Sequence, residues 1–180
     1  LVVEDNPQFL DDVKAVFQGR EQHLDIKVDY ASTLNDAVKA MEQHRYDGVL
    51  SDVFFPEREG GGFASDYGIN VAQKALDAGI PVVLCTSTYV HGSATERVTQ
   101  WVRTKRSELI DADPNVGNGE AKSKEFEGAY VALVTLIELQ RQGRLEVRSD
   151  GFVDDKTRKF GRISDMSWAR DVTRSAASFR

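Results

Sequence analysis

Apolar residues fall along this chain in two alternating rhythms. Leu1-Val2-Val3, Gly48-Val49-Leu50 and Pro81-Val82-Val83-Leu84-Cys85 are short runs without a polar face. Strands covered on both sides of a sheet read this way. Between them, apolar positions recur three or four residues apart, the period of a helix. The successive stripes are Phe9, Val13, Val16 and Phe17; Leu34, Ala37, Val38 and Met41; Ile69, Ala72, Ala75 and Leu76. Ala94, Val98, Trp101 and Val102 predict a fourth helix, and Phe126 to Ile137 a long final one. Leu24 to Tyr30 alternates, as a strand with one wetter face would, and Glu108 to Ala112 is a weaker fifth strand. Asn6-Pro7 and Ser32-Thr33 are helix starts. Pro56 to Asp66, with Gly60-Gly61-Gly62 at its centre, predicts a mobile loop.

Five repeats of strand then helix imply an α/β fold. The expected form is a five-stranded parallel sheet, doubly wound by right-handed crossovers, with helices on both faces. The main domain is expected over 1–142. From Gly143 the charge changes sign: 143–180 carries nine Lys/Arg against six Asp/Glu, net +3, and 1–142 carries net -9. That tail contains a hairpin signal at Ser149-Asp150-Gly151 and a short stripe of Met166, Ala169 and Val172. It is too poor in apolar surface for a core of its own, so it reads as an appendage without an identifiable effector domain.

Composition narrows the class. The chain is 41% hydrophobic and 29% charged, with a net charge of -6, which argues against disorder and against a nucleic-acid partner. The longest apolar run, Ala129 to Val134, is six residues, against roughly 20 for a membrane span. No secretory leader is visible, and the single Cys85 excludes an internal disulfide framework. A cytoplasmic setting is expected. The chain opens inside a strand without a methionine, so a few residues are expected ahead of Leu1.

Chemistry in an open parallel sheet belongs at the carboxyl ends of the strands, where the strand order reverses. Glu4 and Asp5 follow the first strand, Asp52 the third, and Thr86, Ser87 and Thr88 the fourth. Three carboxylates brought together raise one another's pKa. A hard divalent cation such as magnesium relieves that repulsion and lets a phosphoryl group approach a carboxylate nucleophile.

The segments Val2-Val3-Glu4-Asp5-Asn6, Ser51-Asp52-Val53-Phe54-Phe55-Pro56 and Pro81-Val82-Val83-Leu84-Cys85-Thr86-Ser87 resemble the receiver domain of two-component response regulators. The resemblance covers roughly residues 1–140 and implies a flavodoxin-like receiver fold. By it, Asp52 is the phosphoacceptor, and Glu4, Asp5, Asp52 and the backbone carbonyl of Phe54 hold Mg2+. Thr86 is the hydroxyl that reports phosphorylation. The donor would be a histidine kinase or a phosphotransfer protein, and the output a protein–protein interaction. The domain would be a signalling switch, not a turnover enzyme.

Two departures stand against the pattern. The family carries Lys-Pro at the end of strand five, the lysine contacting the phosphoryl group; here the corresponding place reads Asp113-Pro114. Lys122 and Lys124 are the nearest substitutes. The family's glycine after Asp-x-x-x-Pro is also displaced to Gly68, as if Glu57 to Asp66 were inserted. A degenerate receiver that binds protein without taking phosphate is therefore the alternative. A dehalogenase-type phosphatase is disfavoured, because its second Asp, two residues after the nucleophile, is replaced by Phe54. His23, His44 and His91 share no metal-ligand spacing. Cys85 reads as a buried inert thiol.

Overall fold

The computed structural model of the chain describes residues 1–24, 26–87, 96–105, 124 and 126–154. Its first half alternates β1 (Val2–Val3), α1 (Pro7–Leu24), β2 (Tyr30–Ala31), α2 (Leu34–Gln43) and β3 (Val49–Ser51). A short ribbon, β4 (Phe55–Pro56) with β5 (Phe63–Ala64), precedes α3 (Ser65–Asp77), β6 (Val82–Leu84) and α4 (Glu96–Thr104). After α5 (Phe126–Arg141) come β7 (Leu145–Arg148) and β8 (Gly151–Asp154).

Four strands form one parallel sheet in the order β2-β1-β3-β6. The chain steps outward from β1 to β2, then returns to the other side of β1 for β3 and β6. The order thus reverses between β1 and β3, the place where such sheets bind ligands. The strands are short but fully covered: Val2, Val3, Val49, Leu50, Val82 and Val83 are all buried. Each such side chain contributes about 1.5–3 kcal/mol by leaving water.

The helices bury the stripes their spacing predicts. Val13 and Phe17 of α1 are buried, as are Val71, Ala72, Ala75 and Leu76 of α3 and Leu133 and Leu136 of α5. α1 packs on α5, α2 on α3, and α3 on α4, while α3 and α5 both pack on β3 and β6. The approach of α5 to the start of β3 is close. A Cβ on Gly48 would stand 2.8 Å from Ile137 Cδ1 and 2.9 Å from Leu133 Cδ1.

Three local expectations are revised. The strand expected over Leu24–Tyr30 shrinks to Tyr30–Ala31, because α1 continues to Leu24. Arg20, Glu21 and Gln22 are good helix formers, and Ile26 and Val28 reach the core half-buried without joining the ladder. The Gly-rich loop over Pro56–Asp66 is closed by the β4–β5 ribbon, with Phe55 opposite Ala64 and Pro56 opposite Phe63. α3 consequently begins at Ser65, four residues before its first expected apolar position. The hairpin signal at Ser149-Asp150-Gly151 is the turn between β7 and β8, with Arg148 paired to Gly151. The fifth strand expected over Glu108–Ala112, the pair Asp113-Pro114 and the stripe from Met166 to Val172 lie outside the described residues. Among the described residues, no helix is long and apolar enough to cross a membrane.

Candidate functional site

The parallel ladder brings the acids together. Val3 is in register with Ser51, and Ser51 with Leu84. The ladder continues one step past the strands: the Asp52 N–H donates to Val3 O (2.8 Å) and the Cys85 N–H to Ser51 O (2.8 Å). The Glu4 N–H donates to Ala31 O (2.9 Å). Adjacent strands lie about 4.8 Å apart, so the residues that leave their carboxyl ends are neighbours. One carboxylate oxygen each from Glu4, Asp5 and Asp52 lies within 4.8 Å of the others.

Local hydrogen bonds orient these side chains. Glu4 Oε1 accepts from the Asn6 N–H (3.1 Å), and Asn6 Oδ1 accepts from the Gln8 N–H (3.0 Å), capping α1 ahead of Pro7. Asp52 Oδ1 accepts from the Val53 N–H (2.6 Å). Thr33, the second of the two expected caps, starts α2 by accepting from the Asp36 N–H (3.1 Å). Thr86 is buried at the end of β6. Phe54 lies half-buried in the bend between β3 and β4, two residues past Asp52.

Of the two candidate lysines, Lys124, two residues ahead of α5, enters the acid cluster. Lys124 Nζ donates to Glu4 Oε2 (2.5 Å) and lies 2.9 Å from Asp52 Oδ2. Its side chain is 0% exposed. The ammonium stands over the Phe9 ring, 4.8 Å from its centroid, with Phe126 at 6.0 Å. A buried ammonium is tolerated only when paired, and here two carboxylates share it. Lys122, the other candidate, lies outside the described residues.

The charges explain the protonation behaviour. Burial raises the Glu4 carboxyl to about 7, against the pull of Lys124 and helped by the Asp52 charge. Burial, then the Asp52 charge, also raises Asp5. Burial works to lower the Lys124 ammonium, but Asp52 and Glu4 overcome it and hold it above the ordinary lysine range. With all four groups ionised, three carboxylates and one ammonium leave a charge of -2. A divalent cation balances that charge. Each of the three acids offers an oxygen within 4.8 Å of the others, and carboxylate oxygens are the hard donors magnesium takes. The hard oxygen donor set therefore fits magnesium.

Gly68 lets α3 approach the turn that carries Asp52. Its N–H points to Val53 O (3.3 Å). A Cβ there would meet Val53 Cα at 2.7 Å, Val53 O at 2.8 Å and Asp52 O at 2.9 Å. The ribbon returns the chain so that α3 packs directly against the turn bearing Asp52. Phe9 and Phe126 were legible only as packing residues. Their role as walls around Lys124 depends on contacts between α1 and the segment entering α5, which no local spacing encodes.

The chain matches no protein-family model, no curated protein and no solved structure.

Proposed function

We propose that the chain is a phosphoacceptor receiver, modified on Asp52 and acting through protein–protein contact. The observation that carries this reading is the convergence of Glu4, Asp5 and Asp52 with the buried Lys124 ammonium at the reversal of strand order. The finer form of the fold belongs to the same proposal: a doubly wound, flavodoxin-like sheet completed by a fifth strand after α4.

Glu4, Asp5, Asp52 and the Phe54 carbonyl would hold Mg2+. When bound, that ion supplies positive charge to the phosphoryl oxygens. The protein's own groups do the rest. An Asp52 carboxylate oxygen forms the new O–P bond as the donor's bond to phosphorus breaks, and the leaving group departs with that electron pair. The phosphodonor class is a phosphohistidine on a kinase or phosphotransfer protein. Lys124 Nζ, 2.9 Å from Asp52 Oδ2, compensates the charge that arrives. Thr86, at the end of β6, offers a hydroxyl to a phosphoryl oxygen. Positioning and charge compensation are most of what such a transfer requires. The site is a cytoplasmic switch in this reading, not a turnover catalyst.

The degenerate-receiver alternative drew its support from the missing lysine, and Lys124 weakens that support. The test is incubation with acetyl phosphate and Mg2+, followed by intact mass. One phosphate per chain, lost in Asp52→Asn and on chelation of Mg2+, is the expected result. Labelling that survives Asp52→Asn refutes the assignment, and absence of labelling in the native sequence favours the binding module.

A further inference from the structure

The β7–β8 hairpin is held at its turn by two helices at once. Gln73 of α3 donates from Nε2 to Ser149 O (2.9 Å) and to Asp77 Oδ1 (2.9 Å). Lys105, one residue past α4, donates from Nζ to the same Ser149 O (3.1 Å) and to Gln73 Oε1. The Lys105 ammonium also stands 4.7 Å from the Trp101 ring centroid, which fixes its approach. One carbonyl thus accepts from donors on α3 and on the end of α4. Any sliding of one helix past the other costs at least one of these bonds.

α3 begins beside the acid site, and α4 is tied to the first turn of α3. In α3, Gly68 lies against the backbone of Asp52 and Val53. Gln73 follows five residues later, about 7.5 Å along the helix axis. In α4, Arg97 is paired with Asp66 of the first turn of α3 at 2.6 Å. The hairpin lies by the other end of the sheet: a Cβ on Gly79, just ahead of β6, would stand 3.9 Å from Val147 O of β7. Asp52, α3, Gln73 and Ser149 therefore form a continuous packed path from one end of the sheet to the other.

We propose that the β7–β8 hairpin is a clamp on α3 and α4 whose grip, through Gln73 and Lys105 on Ser149, loosens when Asp52 is phosphorylated. This rests on the receiver reading of Asp52. The new group crowds the turn against which Gly68 packs, and α3 shifts as a rigid element. The shared carbonyl cannot follow both helices. The hairpin, the element that leads into the basic tail, becomes the internal reporter of the site.

Amide hydrogen exchange of the full chain, with acetyl phosphate and Mg2+ and with occupancy of Asp52 read by mass, tests this. Exchange over 145–154 should accelerate roughly fivefold or more on phosphorylation, the lower range of ordinary coupling between sites. Lys105→Met and Gln73→Leu should each exchange fast before phosphorylation and show no further response, while Lys105→Arg retains it. Circular dichroism checks that each variant is folded. Unchanged exchange over 145–154 in chains that carry phosphate on Asp52 overturns the clamp, as does a full response in both Lys105→Met and Gln73→Leu. A chain that takes no phosphate overturns the receiver reading, and the clamp with it.

Discussion

Lys124 and Glu4, 120 residues apart, form a fully buried ion pair at 2.5 Å. The ammonium also reaches Asp52 at 2.9 Å, so it belongs to the acid cluster and not to the surface of α5. At an effective dielectric of about 20, unit charges 4 Å apart interact by about 4 kcal/mol. The lysine therefore offsets repulsion that would otherwise drive Glu4 and Asp52 apart or protonate them.

Lys124→Met should lower stability by about 3 kcal/mol, the lower end of the cost of leaving one partner of a buried pair alone. The same variant should bind Mg2+ at least about tenfold more tightly, since removing a competing charge worth ~1.4 kcal/mol is one decade. Phosphate transfer should slow. Urea unfolding, magnesium titration and timed labelling measure the three effects. Weaker magnesium binding would contradict the role assigned to the lysine.

Gly68→Ala should destabilise the fold by about 1–3 kcal/mol, the cost of overpacking. Its Cβ has nowhere to go between the backbones of Asp52 and Val53. Because those atoms carry Asp52 of the acid cluster, magnesium affinity should fall as well. Gly62→Ala is the control: nothing lies within 4 Å of a Cβ there. Equal thermal midpoints for the two variants would refute the close-approach argument.

Tyr46 gives the fold an alkaline limit. Its hydroxyl donates to Asp29 Oδ2 (2.8 Å), and burial, then that bond, pushes its pKa up to about 12 from an ordinary 10.0. A folded pKa above the unfolded one favours the protonated hydroxyl in the fold. The contribution is complete below pH 10 and is lost as pH rises through 12. Tyr46→Phe should therefore narrow its stability gap to the native sequence across that window. A gap that stays constant from pH 9 to 12 would show that the hydroxyl carries no such linkage.

Much of this site is legible in the sequence. Glu4, Asp5 and Asp52 each follow a buried strand, and parallel strands with reversed order bring such ends together, while Thr86 is buried just past β6. The two-sided burial of Val49-Leu50 and Val82-Val83 made those strands easy to place. The lysine was narrowed to two positions and no further, because whether Lys122 or Lys124 enters the pocket depends on how α5 seats between Phe9 and Gly48. The ribbon was hidden for a different reason. Two residue pairs, Phe55 with Ala64 and Pro56 with Phe63, are too short to leave a period, and the glycines between them read as loop. The extent of α1 is ambiguous in the sequence because helix-forming polar residues abut an alternating apolar pattern.

In this reading Asp52 itself accepts phosphate in a pocket shared with Glu4, Asp5 and Lys124. Borohydride reduction after incubation with acetyl phosphate and Mg2+ tests it most directly, since an acyl phosphate is reduced to the alcohol and marks its own residue. Homoserine is expected at position 52 and at no other carboxylate, with none formed when magnesium is chelated. Reduction at another acid, or an unmodified peptide 52 under conditions where the chain carries phosphate, would contradict it.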